Sequence, residues 1–235
     1  MAIFNAGVPR ILPNEIYHIK GKVLDIGCGA GYLTGGILKK TLPKLNVYGL
    51  DISKTAVSYA SKKYLDVKFI VGNVYKLPFP SNYFDAVVAN CILEHLEKPQ
   101  KALQEIRRVM TKQALFCSIT PIEADKFVFF QSGVLTKKYH GHLQRFDRDK
   151  LIRLINKNGF KIKRYYFSGF IFCQLISGIY LRLFKLLNKP SEFQITDSKL
   201  NPIKYLINFL INVESAIIPN KIPGLYMHII CSKNR

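Results

Sequence analysis

A run of β-branched residues that breaks into a glycine turn constrains the fold of this chain more than any other feature. Residues 22–26 (KVLDI) have the length and composition of a buried strand. Glycines follow at three alternate positions, Gly27, Gly29 and Gly31, before a segment, 32–41, that can continue as a helix. A strand, a glycine turn and a helix N-terminus together let backbone N–H groups approach a ligand closely. The sequence therefore predicts a nucleotide-type binding site at this turn.

A single acidic residue, Asp51, strengthens this interpretation. It ends the next predicted strand, 46–51, and a carboxylate at this point can accept hydrogen bonds from both hydroxyls of a ribose. A dinucleotide-binding fingerprint would need a further glycine at position 32, but Tyr32 stands there. The pattern argues against a dinucleotide, and the alternative to a ligand site is a glycine-rich turn that binds nothing.

The net charge of +20 in 235 residues is the outlying feature of the composition. A basic excess of this size favours contact with a polyanion, such as nucleic acid, an anionic membrane surface or a phosphorylated substrate. A lysine-rich surface that contacts only water is the alternative, and the charge alone does not decide between them.

The cysteines indicate the compartment rather than a site. Neither a zinc site nor a disulfide framework is indicated, and we expect no metal. Reduced cysteines are typical of cytoplasmic proteins, and residues 1–14 lack the features of a secretory signal, so we expect a cytoplasmic protein. The five residues are scattered without a Cys-x-x-Cys pair: Cys28, Cys91, Cys117, Cys173 and Cys231.

Strands and helices alternate along the chain. Alternating βα units require a mostly parallel sheet with helices on both faces. Ser53 and Asp147 are good N-caps, and Gly159 is a good residue to follow a helix. The predicted strands are 22–26, 46–51, 67–71, 84–89, 114–119, 160–167 and 226–232, and the predicted helices are 10–20, 32–41, 53–64, 99–110 and 147–158.

Four motifs occur in a fixed order along these elements. They are the D-x-G-x-G-x-G pattern that begins at Asp25, the segment 69–80 (FIVGNVYKLPFP), the segment 84–96 (FDAVVANCILEHL) and the helix segment 102–109 (ALQEIRRV). Together they resemble the class I S-adenosylmethionine-dependent methyltransferases, and specifically the methyltransferase-11 and ubiquinone-biosynthesis-like group of small-molecule enzymes. This resemblance implies an α/β fold with a Rossmann-like, seven-stranded, mostly parallel sheet whose seventh strand is antiparallel.

The resemblance also implies S-adenosylmethionine as the cofactor and assigns its contacts by position. The turn after strand 1 would lie at the methionine end, strands 2 and 3 would end at the ribose and adenine, and strand 4 would end beside the sulfonium. The implied cofactor residues are, in that order, Asp25, Gly27, Cys28, Gly29 and Gly31; Asp51 and Ile52; Asn73 and Val74; and Asn90 and Cys91.

The sequence departs from the family pattern at two places. Asn73 stands where the family usually has aspartate, so a hydrogen bond from the adenine amino group to its carbonyl oxygen would be weaker for lack of charge. Residues 111–114 (TKQA) replace the usual Gly-Gly turn after the 99–110 helix. The second departure affects the loop into strand 5 and not the cofactor site.

Two histidines are candidates for a general base, which a hydroxyl acceptor would need in order to lose its proton. His95 follows strand 4, and His142 lies in the segment 139–146, which is similar to one that lines acceptor pockets in small-molecule methyltransferases. The alternatives are a helix residue with a local hydrogen bond for His95 and a solvent-exposed loop residue for His142. Cys91 is interpreted as a pocket-wall residue and not as a nucleophile.

The segment 168–225 has no counterpart in the core pattern of the family. Residues 170–187 and 203–218 have the polar spacing of two helices with wide apolar sectors, and no transmembrane span is expected. The helices could cap the acceptor pocket, form a homodimer interface, or lie in the interface of an anionic membrane. We expect one domain over 1–235, made of a helical cover (1–21), a cofactor-binding core (22–167), a helical insertion (168–225) and the last strand (226–235).

The leading hypothesis is methyl transfer from S-adenosylmethionine to an apolar or amphiphilic small molecule, with O-methylation favoured. Quinone precursors, lipids and lipid-linked sugars are acceptors of this kind. An RNA methyltransferase is the alternative that the charge supports, although no separate nucleic-acid-binding module is visible. A third hypothesis is a non-catalytic member of the fold that binds the cofactor or a partner.

Overall fold

The computed structural model describes residues 14–122, 142–168 and 226–234. Seven strands form one sheet: β1 (Lys22–Ile26), β2 (Asn46–Asp51), β3 (Lys68–Val71), β4 (Phe84–Asn90), β5 (Met110–Pro121), β6 (Phe160–Ser168) and β7 (Tyr226–Lys233). The strand order is β3-β2-β1-β4-β5-β7-β6, with parallel pairs from β3 to β5. Strand β7 is antiparallel to both β5 and β6. The predicted fold class is therefore confirmed.

The described helices lie between the strands as expected. They are α1 (Thr34–Lys39), α2 (Lys54–Lys63), α3 (Pro99–Val109) and α4 (Arg148–Lys157), and a 3-10 turn occupies Leu93–His95. Both predicted N-caps are present, because the Ser53 side chain accepts from the N–H of Ala56 and the Asp147 side chain accepts from the N–H of Lys150. Gly159 follows α4 with a φ of 80°, in the left-handed region that favours glycine.

The core lies on both faces of the sheet, and the central strands are buried on both sides. Along β4, Val87 packs on one face with α3 and α4, while Val88 packs on the opposite face with α1. Strands that are covered on both faces read as continuous apolar runs and not as alternating patterns. This arrangement explains why residues 84–89 are apolar almost throughout, and it places the carboxyl ends of β1 and β4 side by side.

The helix after the glycine turn is shorter and wider than the sequence predicts. It begins at Thr34 and not at position 32, and it is π-helical, since the N–H of Leu38 donates to the carbonyl of Leu33. Two glycines explain the departure: they weaken a regular helix, and a Cβ at Gly35 would lie 2.3 Å from the Tyr64 ring. The wide turns let the helix backbone pack closely on that ring.

Strand β5 is longer than predicted, and the helix before it is correspondingly shorter. Met110 was expected to end the helix, but α3 ends at Val109 and Met110 begins β5. The expected loop at 111–114 is a bulge inside the strand: Phe84 pairs with Met110, whereas Ala86 already pairs with Leu115. A bulge allows the polar residues of this stretch to leave the core without interrupting the sheet.

The N-terminal segment is only partly described. Residues 14–16 are helical, but the helix expected to continue to position 20 has ended by residue 17. Ile16 is fully buried in the core, and Glu15 forms an ion pair with Arg164 of β6. The segments 1–13, 123–141 and 169–225 lie outside the described residues, so the two helices predicted at 170–187 and 203–218 stay predictions. Within the described ranges, no helix has both the length and the apolar character needed to cross a membrane.

Candidate functional site

The carboxyl ends of the parallel strands meet at one edge of the sheet, and the sequence-predicted residues converge there. Strand β1 lies between β2 and β4, and its last residue, Ile26, pairs with Leu50 on one side and Ala89 on the other. The chain order reverses at β1, and in sheets of this kind ligands bind in the crevice at such a reversal. The glycine turn, Asp51 and Asn90 therefore open onto the same crevice.

The backbone of the glycine turn is held by bonds within the protein. The N–H groups of Gly27 and Cys28 both donate to the carbonyl oxygen of Leu50, at 2.7 and 3.1 Å, and the N–H of Gly31 donates to the carbonyl of Cys28 at 2.9 Å. These three donors are thus already used, contrary to the expectation that the turn offers its N–H groups to a ligand. The turn instead lets a ligand come close to the backbone, because its glycines have no side chains.

The three glycines of the turn serve different purposes, although all have positive φ values. A Cβ at Gly27 would lie 1.9 Å from Cδ1 of Ile92, and one at Gly31 would lie 2.8 Å from Cζ of Phe69. A Cβ at Gly29 would have no described atom within 4 Å. Gly27 and Gly31 are therefore required for packing, whereas Gly29 borders open space.

Asp51 is fixed beside this open space. Its Oδ2 atom accepts from the N–H of Gly29 at 2.8 Å, and its Oδ1 atom accepts from the N–H of Ser53 at 2.9 Å. An ionised carboxylate has about four acceptor positions, so each oxygen can accept one more hydrogen bond. The next residue, Ile52, is 72% exposed and provides an apolar surface next to the carboxylate.

Asp25 lies beneath the turn and not at its surface. It is buried, and the Thr34 hydroxyl donates to its Oδ2 atom at 2.6 Å, which ties the end of β1 to α1. Burial raises the pKa of Asp25 to about 7; the Thr34 hydrogen bond opposes the rise, and the negative charge of Asp51 adds to it.

The turn after β3 is shaped by Asn73. Its Oδ1 atom accepts from the N–H of Tyr75 at 2.9 Å, and its carbonyl accepts from the N–H of Lys76 at 3.1 Å. The amide oxygen that the sequence assigns to an adenine amino group therefore already accepts one hydrogen bond within the protein. Val74, the other residue assigned to the adenine, is partly buried against the core.

The end of β4 carries Cys91 in a left-handed conformation, with a φ of 54°. Its N–H donates to the carbonyl of Ile119 at 2.8 Å, which holds the chain as it leaves the sheet beside Asn90. Burial raises the pKa of the Cys91 thiol well above its usual range, and the nearby Glu94 adds to the rise. A thiol in this environment stays protonated, which supports the interpretation of Cys91 as a pocket-wall residue.

The two candidate catalytic histidines lie together. The ring centroids of His95 and His142 are 5.0 Å apart in an edge-to-face arrangement. The backbone carbonyl of Glu94 accepts from the N–H groups of Leu143 and Gln144, both at 2.8 Å, and this holds the segment after residue 141 against the end of β4. The sequence predicts both histidines as candidates, and the structure brings them into one cluster.

Glu94 is a member of this cluster that the sequence analysis missed. Its side chain is 1% exposed, and its Oε1 atom lies 3.9 Å from Nε2 of His95. Burial raises the pKa of Glu94 to about 8, while the nearby backbone of Glu94 and the thiol of Cys91 oppose the rise. The Glu-His pair directly after strand 4 is the signal that could have identified it.

Comparison with known proteins agrees with this geometry. Residues 24–118 match the family described as a methyltransferase domain. The chain is 28% identical over 234 residues to 2-methyl-6-phytyl-1,4-hydroquinone methyltransferase 2 of Oryza sativa subsp. japonica, covering 92% of this chain and 64% of that protein. It is 26% identical over 162 residues to the demethylmenaquinone methyltransferase of Thermotoga maritima, covering 60% of this chain and 70% of that protein. Residues 24–118 are thus similar to a methyltransferase domain, as the sequence motifs predict.

A solved structure supports the fold of this chain and also marks the limit of what a fold implies. The cyclase SpnF superposes with a TM-score of 0.65 over 97% of this chain and 80% of that one, at 15% identity. At this identity the likeness shows the fold alone, and a fold can host unrelated chemistry. The chain spans 38% to 70% of the lengths of three curated relatives.

The predicted cofactor, S-adenosylmethionine, agrees with the match of residues 24–118 to a methyltransferase domain. The residues of the crevice fit such a group: Gly29 borders space that a Cβ would enter, Asp51 retains acceptor capacity next to it, and Ile52 provides an apolar surface. The individual contacts assigned to the cofactor stay predictions.

Proposed function

We propose that this chain transfers a methyl group from S-adenosylmethionine to an amphiphilic small molecule of the hydroquinone type. The observation that carries the proposal is the open space at Gly29, held beside the fixed carboxylate of Asp51 at the reversal point of the sheet. In this proposal Asp51 accepts from the ribose hydroxyls and Ile52 packs on the adenine ring. The glycine turn brings the backbone close to the methionine end, and Asn90 and Cys91 line the side where the acceptor enters.

The proteins to which this chain is similar favour an acceptor of the quinone class. The rice relative is named for a phytyl hydroquinone and the Thermotoga maritima relative for demethylmenaquinone. Both names describe a ring with an apolar substituent, and the sequence-based expectation of an apolar or amphiphilic acceptor agrees with them. Transfer to the hydroxyl oxygen is the outcome that the sequence favours, and transfer to a ring carbon is the alternative.

The reactive methyl group comes with the cofactor, which supplies it on a positively charged sulfur. The work left to the protein is to orient the acceptor, to exclude water, and to receive the proton of a hydroxyl. His95 and His142 are the candidate proton acceptors, because they lie together just after the end of β4. When an acceptor hydroxyl loses its proton, its oxygen becomes more nucleophilic, and so do the ring carbons ortho to that oxygen.

The experiment is transfer of a labelled methyl group into fractionated pools. The purified chain is incubated with methyl-labelled S-adenosylmethionine and, separately, with prenylated hydroquinones, a lipid extract, RNA and water-soluble metabolites. We expect label in the hydroquinone pool. Label in RNA would overturn the proposal in favour of the RNA methyltransferase hypothesis, and absence of transfer to every pool would favour a non-catalytic member of the fold.

Two further measurements make this experiment specific. Asp51→Ala should abolish the transfer, whereas Asp66→Ala, which removes the same charge from an exposed turn, should leave it unchanged. Fragmentation of the product by mass spectrometry, with NMR of the new methyl group, distinguishes a methoxy group from a methyl group on carbon. The O-methylation prediction fails if the label is found on carbon.

A further inference from the structure

Three side chains with metal-binding atoms converge at the end of β4. Glu94 and His95 belong to the 3-10 turn, and His142 comes from the segment that precedes α4. One carboxylate oxygen of Glu94 and one ring nitrogen from each histidine lie within 4.8 Å of one another. The backbone bonds from Leu143 and Gln144 to the carbonyl of Glu94 hold the two segments at this separation.

The carboxyl group of Glu94 carries the strongest indication of a missing ligand. Its side chain is 1% exposed, yet neither oxygen accepts a hydrogen bond from an N–H or O–H group of the described residues. The groups nearest to it are its own backbone, the thiol of Cys91, which is a weak donor, and Nε2 of His95 at 3.9 Å. Buried polar groups in native proteins are nearly always satisfied, so an unsatisfied carboxyl group calls for a partner.

The donor set defines the class of that partner. Two imidazoles and one carboxylate, with further coordination positions open, are typical ligands of zinc and of other divalent first-row transition metals. Donor atoms that share such an ion lie roughly 3 to 3.5 Å apart, given bond lengths of about 2.0 to 2.2 Å. Side-chain rotations that move the donor atoms by about 1 Å would bring them from within 4.8 Å of one another to this separation.

We propose that Glu94, His95 and His142 form a binding site for a divalent transition-metal ion of the zinc type. The ion occupies the space between the three side chains. It binds the carboxylate of Glu94, whose two oxygens accept no hydrogen bond from the N–H or O–H groups of the described residues. The site lies close to Asn90 and Cys91 at the end of β4, and therefore beside the region that the proposed function assigns to the acceptor. An open coordination position there takes an oxygen atom of a hydroquinone-type acceptor.

The sequence alone predicts no metal in this protein. The ligands were missed because they follow no ligand-spacing motif: two are adjacent and the third lies far along the chain. The inference also changes the role of the histidines. An imidazole nitrogen that coordinates an ion cannot at the same time accept a proton, so metal binding and general-base catalysis by the same nitrogen exclude each other.

The test is metal binding by the full chain, in the absence of cofactor and acceptor. Zn²⁺ is titrated by calorimetry, and Co²⁺ is added separately because its visible absorption reports coordination by nitrogen and oxygen. We expect about one bound ion per chain, with a Co²⁺ spectrum of low coordination number. His142→Ala and His95→Ala should each lower the Zn²⁺ affinity at least about tenfold, and Glu94→Gln, which keeps the side-chain shape, should also weaken it.

A matched control and a second ligand keep the test decisive. His18→Ala removes an exposed histidine outside the cluster and should leave Zn²⁺ binding unchanged. Binding of S-adenosylmethionine by each variant shows that the fold is intact. The inference is overturned if the chain with both His95→Ala and His142→Ala binds Zn²⁺ as the unmodified chain does, or if the unmodified chain binds none. Because Zn²⁺ binding is measured without methyl transfer, its failure is distinguishable from failure of the proposed function.

Discussion

The turn after β1 and the turn after β4 lie side by side at the same edge of the sheet, but they are built in opposite ways. Each follows a central parallel strand, and each has a buried carboxyl group close by. Asp25 receives a hydrogen bond from the Thr34 hydroxyl at 2.6 Å, whereas the oxygens of Glu94 receive none from the N–H or O–H groups of the described residues. The first turn is complete without a ligand, and the second is not.

The two turns should therefore behave differently when a ligand binds. Around the glycine turn, backbone bonds to Leu50 and to Asp51 fix the geometry before any ligand binds. A preformed site does not need to order its own groups on binding, which lowers the cost of association. Around the β4 turn, a polar group is buried without satisfaction, which costs free energy unless a partner is present. The turn after β1, which is the methyl-donor side in the proposed function, should therefore keep its shape when a ligand binds. The turn after β4, the acceptor side in that proposal, should respond to what binds there.

Gly27→Ala should have the largest effect on folding. Its Cβ would collide with Ile92, the side chain that links the two turns, and its φ of 72° is strained for alanine. We expect a loss of roughly 2 to 5 kcal/mol in the free energy of unfolding, measured by urea denaturation. Gly29→Ala is the matched control, because its φ is also positive but its Cβ meets no described atom; it should cost only about 1 to 2 kcal/mol. Equal losses in the two variants would contradict the distinction between packing and ligand-facing glycines.

Asp51→Ala should have the largest effect on the cofactor. The variant would lack the carboxylate that the proposed function pairs with the ribose. Gly29 and Ser53 would also lose the acceptor that positions their N–H groups. With hydrogen bonds to charged groups contributing about 1.5 to 3 kcal/mol each, affinity for S-adenosylmethionine should fall roughly a hundredfold or more. Calorimetric titration measures it, and Asp66→Ala controls for the change in charge. An affinity that is the same in both variants would show that the cofactor does not bind at this turn.

Asp25 should make the free energy of unfolding of the chain depend on pH. Its pKa is raised to about 7 in the folded chain from 3.8, so between these values the folded state holds a proton that the unfolded state has released. Stability from this group is therefore lost as pH rises from about 4 to about 7. At about 1.4 kcal/mol per pH unit, the rise of this pKa from 3.8 to about 7 corresponds to a loss of roughly 4 kcal/mol over the window.

Asp25→Asn should remove this dependence, because the amide oxygen can still accept from Thr34 but does not titrate. The measurement is the difference between the stability curves of the two chains, since the other titrating groups are then common to both. One of these is His228, whose pKa burial lowers to about 3, and which acts in the opposite direction because it favours the folded state as pH rises. Parallel curves for the two chains would show that Asp25 is ionised throughout.

The sequence predicted the layout of the turn after β1 far better than that of the turn after β4, and local patterns explain why. The strand, the glycines and the acid at the end of β2 are signals carried by neighbouring residues, so the fold and the position of Asp51 follow from them. Which glycine borders the ligand space is not local, because the collision at Gly27 comes from Ile92, a residue of another turn. The pattern alone treats the three glycines as equivalent.

The acceptor side depends on contacts between segments that are distant in the chain. No pattern in the sequence marks Glu94 as buried. Its side chain is 1% exposed in the folded chain, where the N–H groups of Leu143 and Gln144 donate to its backbone carbonyl and bring a distant segment against it. The bulge in β5 was missed for a similar reason: the polar stretch at 111–114 resembles a loop, and only its pairing with β4 shows that the strand continues around it. Long-range packing decided both outcomes.

Asn73→Asp should have the smallest effect, and its size tests whether the donor side is complete. Aspartate keeps an oxygen for the N–H of Tyr75, so the turn after β3 should not change shape. The added charge would strengthen a hydrogen bond from an adenine amino group, so affinity for S-adenosylmethionine should rise about two- to fivefold, which is less than about 1 kcal/mol. Asn82→Asp is the matched control, because it adds the same charge at a turn whose side chain contacts Lys233. If both variants raise the affinity equally, the gain comes from the overall charge and Asn73 does not contact the adenine; if Asn73→Asp alone weakens binding, the neutral amide is what this turn requires.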